Sequence, residues 1–499
     1  MPEHLRALVV IFGIAFAVLW VAQVPLCKAG LVSVGDYKRR RAVWLAITVL
    51  AFVSHSFWLF VLVGSVLLAW AGRRDSNPLA LFALMLFCIP PFSVTVPGFG
   101  VVNKLVDLDY IFLLNATLLV PALLSSRSVR PSPNTVRMHS GEVAVLCYIF
   151  LVVVLTGLVS SLTNVFRTIL VLAVTIAVPY FASSRSVQSL QKVREVVAMF
   201  VLACVLLAAV ACFESVKGWL LYSTLDEAMG VATIISNYLA RGADGVLRAT
   251  VTGGHPIALG TMIGIGLAMM GAVVTRLDGK LAKFAAVIVL VLGLIASFSR
   301  GPWVGAAVAV LLYVSTGPSA SRRLSLALVG ILCLALATSL TPWGDQILSY
   351  LPFIGTVDEE SVTYRQRLFD VSIDVLSQRP FFGVWDYMFN SSMETMRQGE
   401  GIIDVVNSYL GVAFSSGAVG LSLFLGATLT PAFSAWRTRN LALKNRQLEV
   451  ELLGRCLVAG LVALLVTIAT VSFIFAIPTV FWLLSGLAIA YSRSDGRRP

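Results

Sequence analysis

Apolar runs of 17 to 25 residues recur along the whole 499-residue chain, and short basic clusters separate them. A run of that length crosses the hydrocarbon core of a bilayer as a helix. In hydrocarbon only a helix or a closed barrel satisfies every backbone N–H and C=O. The runs are continuous rather than alternating, which excludes a barrel. The chain is 58% hydrophobic and 12% charged, with a mean hydropathy of +0.90. A soluble domain carries about twice that share of charge. The fold class is therefore all-α, a polytopic helical membrane protein.

The basic clusters predict the topology. They are Arg73-Arg74, Arg127/Arg130/Arg137, Arg185/Lys192/Arg194, Arg276/Lys280/Lys283, Arg322/Arg323, Arg437/Arg439/Lys444/Arg446 and Arg493/Arg497/Arg498. Two apolar runs lie between each successive pair: 78–94 and 109–125, 142–160 and 165–182, 196–213 and 256–275, 283–298 and 302–316, 324–340 and 408–431, 452–471 and 473–491. Each pair leaves and returns, so every cluster falls on one face, the cytoplasmic one by the positive-inside bias. Ala7 to Leu26 is a further retained span, too long for a signal-peptide core. Ala42 to Gly72 is either one tilted span or two short spans broken at Ser54-His55-Ser56. The total is about 14 or 15 spans. The organisation is one membrane domain: a bundle over 1–340, a loop over 341–407 on the opposite face, and the last spans of the same bundle over 408–499.

The net charge of +12 does not point to nucleic acid, because the basic residues sit between spans. Seven cysteines lie in or beside apolar runs without a CxxC spacing, so neither a disulfide framework nor a metal site is indicated. Four histidines form no HExxH, and no Gly-x-x-x-x-Gly-Lys loop exists. No cofactor and no metal are expected.

The loop Thr341–Asn407 holds ten of the 25 acids, four arginines and no lysine. It is one of several outer turns that carry arginine. Arg241 and Arg248 are seven apart, which aligns them if the segment is helical. They precede Gly254-His255-Pro256. Arg300 sits in the tight turn Ser297-Phe-Ser-Arg300-Gly-Pro-Trp303. Arg365 and Arg367 begin an amphipathic stretch with Leu368, Val371, Val375 and Leu376 at helical spacing. Arginines on the face that is poor in positive charge need a reason, and a diphosphate supplies one, since guanidinium forks bind it bidentately. Plainer readings stand beside this. Such arginines also snorkel to headgroups, His255 also suits a helix start, and Asn407 with Ser408 also suits a helix cap. Asp404 is either a carboxylate base or a solvated loop acid. Arg167 lies near the outer end of a span, and nothing in the sequence decides whether it pairs with Glu214.

Four segments in order resemble the O-antigen ligase and polymerase superfamily. They are Arg248…Gly254-His255-Pro256…Gly260; Ser297-Phe-Ser-Arg300-Gly-Pro-Trp303; Arg365-x-x-Leu368-Phe369 with Arg379-Pro380-Phe-Phe-Gly383; and Asn407-Ser-Tyr409-Leu410…Ser416-Gly417-Ala-Val-Gly420. The resemblance covers residues 240–425. The ligases carry a histidine just before the motif's asparagine; Val406 stands there instead, and Ser416 stands where the family often has Glu. Gly401-Ile-Ile-Asp404-Val-Val-Asn407-Ser-Tyr409 looks more like the exopolysaccharide polymerase branch.

The resemblance implies a GT-C-like fold in a bacterial inner membrane, with the large loop periplasmic. It implies a metal- and nucleotide-independent glycosyltransferase that polymerises oligosaccharide repeat units carried on undecaprenyl diphosphate. A chain-length regulator and a flippase are implied partners, with membrane lipid. Arg300, Arg365, Asp404 and His255 would be catalytic; Arg248, Arg241, Arg367, Asn407, Tyr409 and Trp303 would bind substrate, with Trp385 and Tyr387 stacking on sugar. The alternatives are an O-antigen ligase acting on lipid A core and, in another class, a flippase or secondary transporter.

Overall fold

The apolar runs fold as helices, seen here in a computed structural model. The structure describes all residues except 99–103, 129–137, 236–239, 242–245, 318–319, 326–327, 330–358, 385, 398–400, 402 and 496–499. The run 324–340 and the start of the long loop therefore lie largely outside the described residues. In chain order the helices are α1 (Glu3–Lys28), α2 (Val34–Val53), α3 (Phe57–Arg74) and α4 (Pro78–Met85). Next, α5 (Tyr110–Leu114) passes through a π turn (Asn115–Leu119) into α6 (Val120–Ser128), and α7 covers Ser140–Val159. Likewise α8 (Leu162–Leu172) passes through a π turn (Ala173–Ala177) into α9 (Val178–Arg185). Then come α10 (Leu190–Lys217), α11 (Leu225–Met229), α12 (Pro256–Val274), α13 (Lys280–Ala296) and α14 (Arg300–Ser315). The lid helix is α15 (Glu359–Gln378), followed by α16 (Ser391–Glu394). The chain closes with α17 (Ser408–Lys444), α18 (Leu448–Ile468) and α19 (Ile477–Asp495).

Among the described residues, eight helices are long and apolar enough to cross a membrane. The protein is a multi-pass membrane protein. The core sits among α10, α12 and α18, each 78% buried over its apolar window, while α1 and α7 are only 22% buried and form the bilayer-facing rim. α17 packs on α7, α18 and α19, and α12 packs on α10, α13, α14 and α18.

Two features differ from the sequence expectation. The run 78–94 is helical only over α4; Pro90-Pro91 offers no backbone N–H to continue a helix, and Leu79 to Pro90 are buried among neighbours. The run 42–72 is broken at Ser54-His55-Ser56, where His55 has φ +49°, so the two-segment alternative is the one observed.

Among the described residues, side chains of four of the basic clusters, together with Arg40, are ion-paired at one end of the bundle. Arg40 forms a buried fork with Asp75 (2.6 and 2.9 Å) and an ion pair with Glu195 (2.9 Å). Glu142 takes both Arg185 (3.1 Å) and Arg493 (2.8 Å). Glu449 takes Arg194 and Arg276, and Glu451 takes Arg439. At the other end His4 lies 3.4 Å from Glu227 and edge-on to His55, so α1 begins on the face of the polar loops.

Candidate active site

Three residues of the turn between α18 and α19, Thr470-Val471-Ser472, gather the polar segments of the loop end. The Thr470 carbonyl accepts from Arg365 Nη2 at 3.4 Å. The Val471 carbonyl accepts from both the backbone N–H (3.1 Å) and the hydroxyl (2.7 Å) of Ser408. Ser472 Oγ donates to Asp404 Oδ1 at 2.7 Å. Thr470 also abuts Gly301, where any added Cβ would collide with its hydroxyl. One turn therefore holds Arg365, Asp404 and the start of α17 beside the residue that follows Arg300.

Arg248 reaches the same place from another side. Its Nη2 donates to Ser299 Oγ at 3.0 Å and its Nε to the Ser297 carbonyl at 3.5 Å. The backbone around it is pinned at several points. Ala249 N–H bonds the Ala296 carbonyl at the end of α13, and Thr252 Oγ1 bonds the Phe87 carbonyl. Buried Glu214, at the outer end of α10, accepts the N–H groups of Leu221 (3.1 Å), Thr250 (3.1 Å) and Val251 (3.0 Å). It fixes Val251 at φ +46°, a conformation a β-branched residue rarely adopts.

Arg300 is half-buried and is the first residue of α14. A cation at a helix N-terminus opposes the macrodipole, and both it and the dipole favour an anion placed in front. The helices α12, α14 and α17 all begin at this face, at His255-Pro256, Arg300 and Asn407-Ser408.

His255 is the cap of α12. Its Nδ1 accepts the Ile257 N–H at 3.1 Å, which leaves the neutral ring's proton on Nε2. Burial, with the Arg248 charge adding to it, pushes its pKa down to about 4. To accept a proton at Nε2 the ring would have to move its own proton to Nδ1 and give up the cap. Asn407 likewise caps α17, its Oδ1 accepting from Tyr409 N (3.0 Å) and Leu410 N (3.3 Å). Asp404 is exposed; its carbonyl accepts the Tyr364 hydroxyl at 2.9 Å.

The lid is fastened by a pair of glycines. At Gly417, with φ +64° and ψ −165°, α17 is broken. The freed N–H groups of Ala418 and Val419 bond the carbonyls of Pro380 (2.9 Å) and Phe381 (3.2 Å). In return Val384 N–H bonds the Phe414 carbonyl at 2.7 Å. A Cβ on Gly417 would strike the Phe381 carbonyl, and one on Gly383 would strike that of Phe414. Val405 and Val406 pack on the small lid core of Leu368, Val375, Val384, Met393 and Phe414.

The other expected residues are placed as follows. Arg241 lies on a two-residue strand (Ala240–Arg241) paired with Val246–Leu247, a hairpin rather than the helix that would have aligned it with Arg248. Arg367 is exposed, about 200° round α15 from Arg365. Trp303 Nε1 donates to the Leu294 carbonyl at 2.8 Å, tying α14 to α13. The Tyr409 hydroxyl donates to the Leu465 carbonyl at 2.7 Å. Tyr387 stacks on Phe414, with ring centroids 4.8 Å apart, so that face is taken. Trp385 lies outside the described residues. Arg167 bonds Asn164 and the carbonyls of Lys104 and Leu105, not Glu214. Sequence reasoning missed Thr470-Val471-Ser472 and the anchoring role of Glu214. The only trace of the former was a polar break between two apolar runs.

Residues 284–425 match a family model described as O-Antigen ligase. The match takes in the Arg300 turn, the lid and the first half of α17. It is consistent with a member of the O-antigen ligase/polymerase superfamily. No curated protein matches the chain.

Proposed function

We propose that the protein is a membrane glycosyltransferase that polymerises lipid-linked oligosaccharide repeat units, with undecaprenyl diphosphate as the leaving group. The observation that carries this reading is the convergence of Arg248, Arg300 and Arg365 around Ser299, Gly301 and Thr470 at one end of the bundle. Three guanidinium groups and three helix N-termini there suit a diphosphate at the bilayer surface. The acceptor hydroxyl attacks the anomeric carbon. The glycosidic C–O bond breaks and its electron pair leaves on the diphosphate oxygen. The arginines stabilise the charge that develops there. The leaving group arrives activated, so the step draws on no nucleotide. Asp404 is the proton acceptor in this account, since His255 is held as a cap. On this reading the site lies on the periplasmic face of a bacterial inner membrane.

Val406 favours polymerase over ligase. It packs against the lid core as an apolar residue where the ligases carry a histidine. The test is Arg300→Ala and Arg365→Ala in cells that make the polymer. Polymer disappears while single repeat units, still linked to lipid or passed on singly, persist. Full-length polymer from both variants would sink the assignment. Loss of transfer to lipid A core with polymer intact would shift it to ligase.

A further inference from the structure

Outside this site, the lid helix α15 presents a face that the bundle does not cover. Leu368, Ser372 and Val375 are buried in the lid core. About 100° round the helix lies a second apolar flank, with Phe369 57% and Ile373 56% exposed. Beyond the helix end Phe381 is 66%, Phe382 54% and Phe389 83% exposed. Arg367, Asp370 and Asp374 occupy the remaining, polar side and are exposed. Clustered exposed aromatics of this size mark an interaction surface.

The neighbour of this surface identifies what covers it. Arg379 to Gly383 form one wall of a groove of about 520 Å³, whose other wall is Val154, Leu155, Leu158 and Val159 of α7. α7 is a membrane-crossing helix at the rim, and Leu158 is 76% exposed. The lid aromatics thus adjoin a bilayer-facing surface across a groove whose lining is apolar except for Arg379, Ser415 and backbone. We infer that this face of the lid rests in the lipid leaflet at the arginine end of the bundle, with Phe381, Phe382 and Phe389 at the hydrocarbon boundary and Arg379 among headgroup phosphates. Amphipathic helices lying in an interface bury their apolar face about 5–10 Å deep in this way, and long basic side chains reach back to the headgroups. The seating holds α15 at headgroup level.

The proposal is tested by lipid photocrosslinking with the full chain in phosphatidylethanolamine/phosphatidylglycerol vesicles free of polyprenyl lipid. The photoreactive p-benzoylphenylalanine replaces Phe389, Phe381 or Ile373, with Asp374 and Gln378 as polar-side controls. All five positions are exposed, so one folding background serves both sets. Phospholipid adducts, read by mass spectrometry, exceed the controls at least about fivefold at the three apolar positions. Equal labelling on both sides, crosslinks to a second copy of the chain, or adducts that form only after polyprenyl diphosphate is added would each overturn it. The inference does not depend on the reaction assigned above.

Discussion

His255 shows how a single contact weighs on roles that the sequence left open. Gly-His-Pro before an apolar run suits a helix start more readily than a base. The Ile257 N–H on Nδ1 makes it a cap, and burial beside Arg248 keeps it neutral. A histidine with a depressed pKa favours its neutral form when folded. Between the ordinary value near 6.5 and about 4 the unfolded chain binds a proton that the folded chain does not, so stability falls as pH drops through that window. The loss is at most about 3 kcal/mol. Asparagine is a strong N-cap, so His255→Asn keeps the cap and removes the titration. Its melting temperature in detergent should fall less than that of the parent between pH 6.5 and 4.5, and its polymer yield should stay within a few-fold. Abolished polymer in a stably folded His255→Asn protein would restore the ring to catalysis. Glu214 was not legible as an anchor, because its partners are three backbone N–H groups up to 37 residues away. Glu214→Ala leaves buried donors unpaired at about 1–3 kcal/mol each. It should lower the melting temperature and abolish polymer together, whereas Arg248→Ala should abolish polymer with little change in melting.

At the scale of elements, the break in α17 explains why glycines stand at Gly383 and Gly417. Backbone groups released by the break bond the chain that enters from the lid, so neither half is satisfied without the other. Gly417→Ala demands a side chain in a backbone region that is essentially glycine's own and drives its Cβ into the Phe381 carbonyl. The lid should undock at a cost above about 2 kcal/mol. Limited proteolysis would then cut between Pro380 and Asn407 while α12 and α18 keep their hydrogen-exchange protection. An uncut lid in that variant would mean the glycine pair is not its fastening. Hydropathy located most helices, because span length and apolar composition are local properties. It failed at 78–94, where the helix ends at Met85 and Pro90-Pro91 keeps it from resuming inside the apolar run. It also could not choose within 42–72, where the three polar residues Ser54-His55-Ser56 break the helix inside an apolar run.

Across the whole molecule arginine marks both ends. At the end with the basic clusters, acids hold the guanidinium groups: Asp75 and Glu195 on Arg40, Glu142 on Arg185 and Arg493, Glu451 on Arg439. At the other end the described bonds of Arg248 and Arg365 go to a serine hydroxyl and backbone carbonyls. The cluster spacing alone predicted that the basic segments share a face, and the described ion pairs bring four of the seven clusters to one end. The site was legible only as separate arginines, because the turn that gathers them lies more than 60 residues beyond Ser408, the last of the motif residues to bond it. The arrangement fixes a labelling pattern for single cysteines added over the native background. Glu227→Cys and Gln378→Cys should react with a membrane-impermeant maleimide in intact spheroplasts. Lys280→Cys and Asn445→Cys, equally exposed at the ion-paired end, should react only after permeabilisation. Among the described residues the native cysteines set little background, since all are buried or half-buried except Cys147 on the membrane-crossing α7. If Glu227→Cys and Gln378→Cys label from opposite sides, the lid and the start of α1 do not share a face, and Arg365 could not meet Arg248 over one diphosphate.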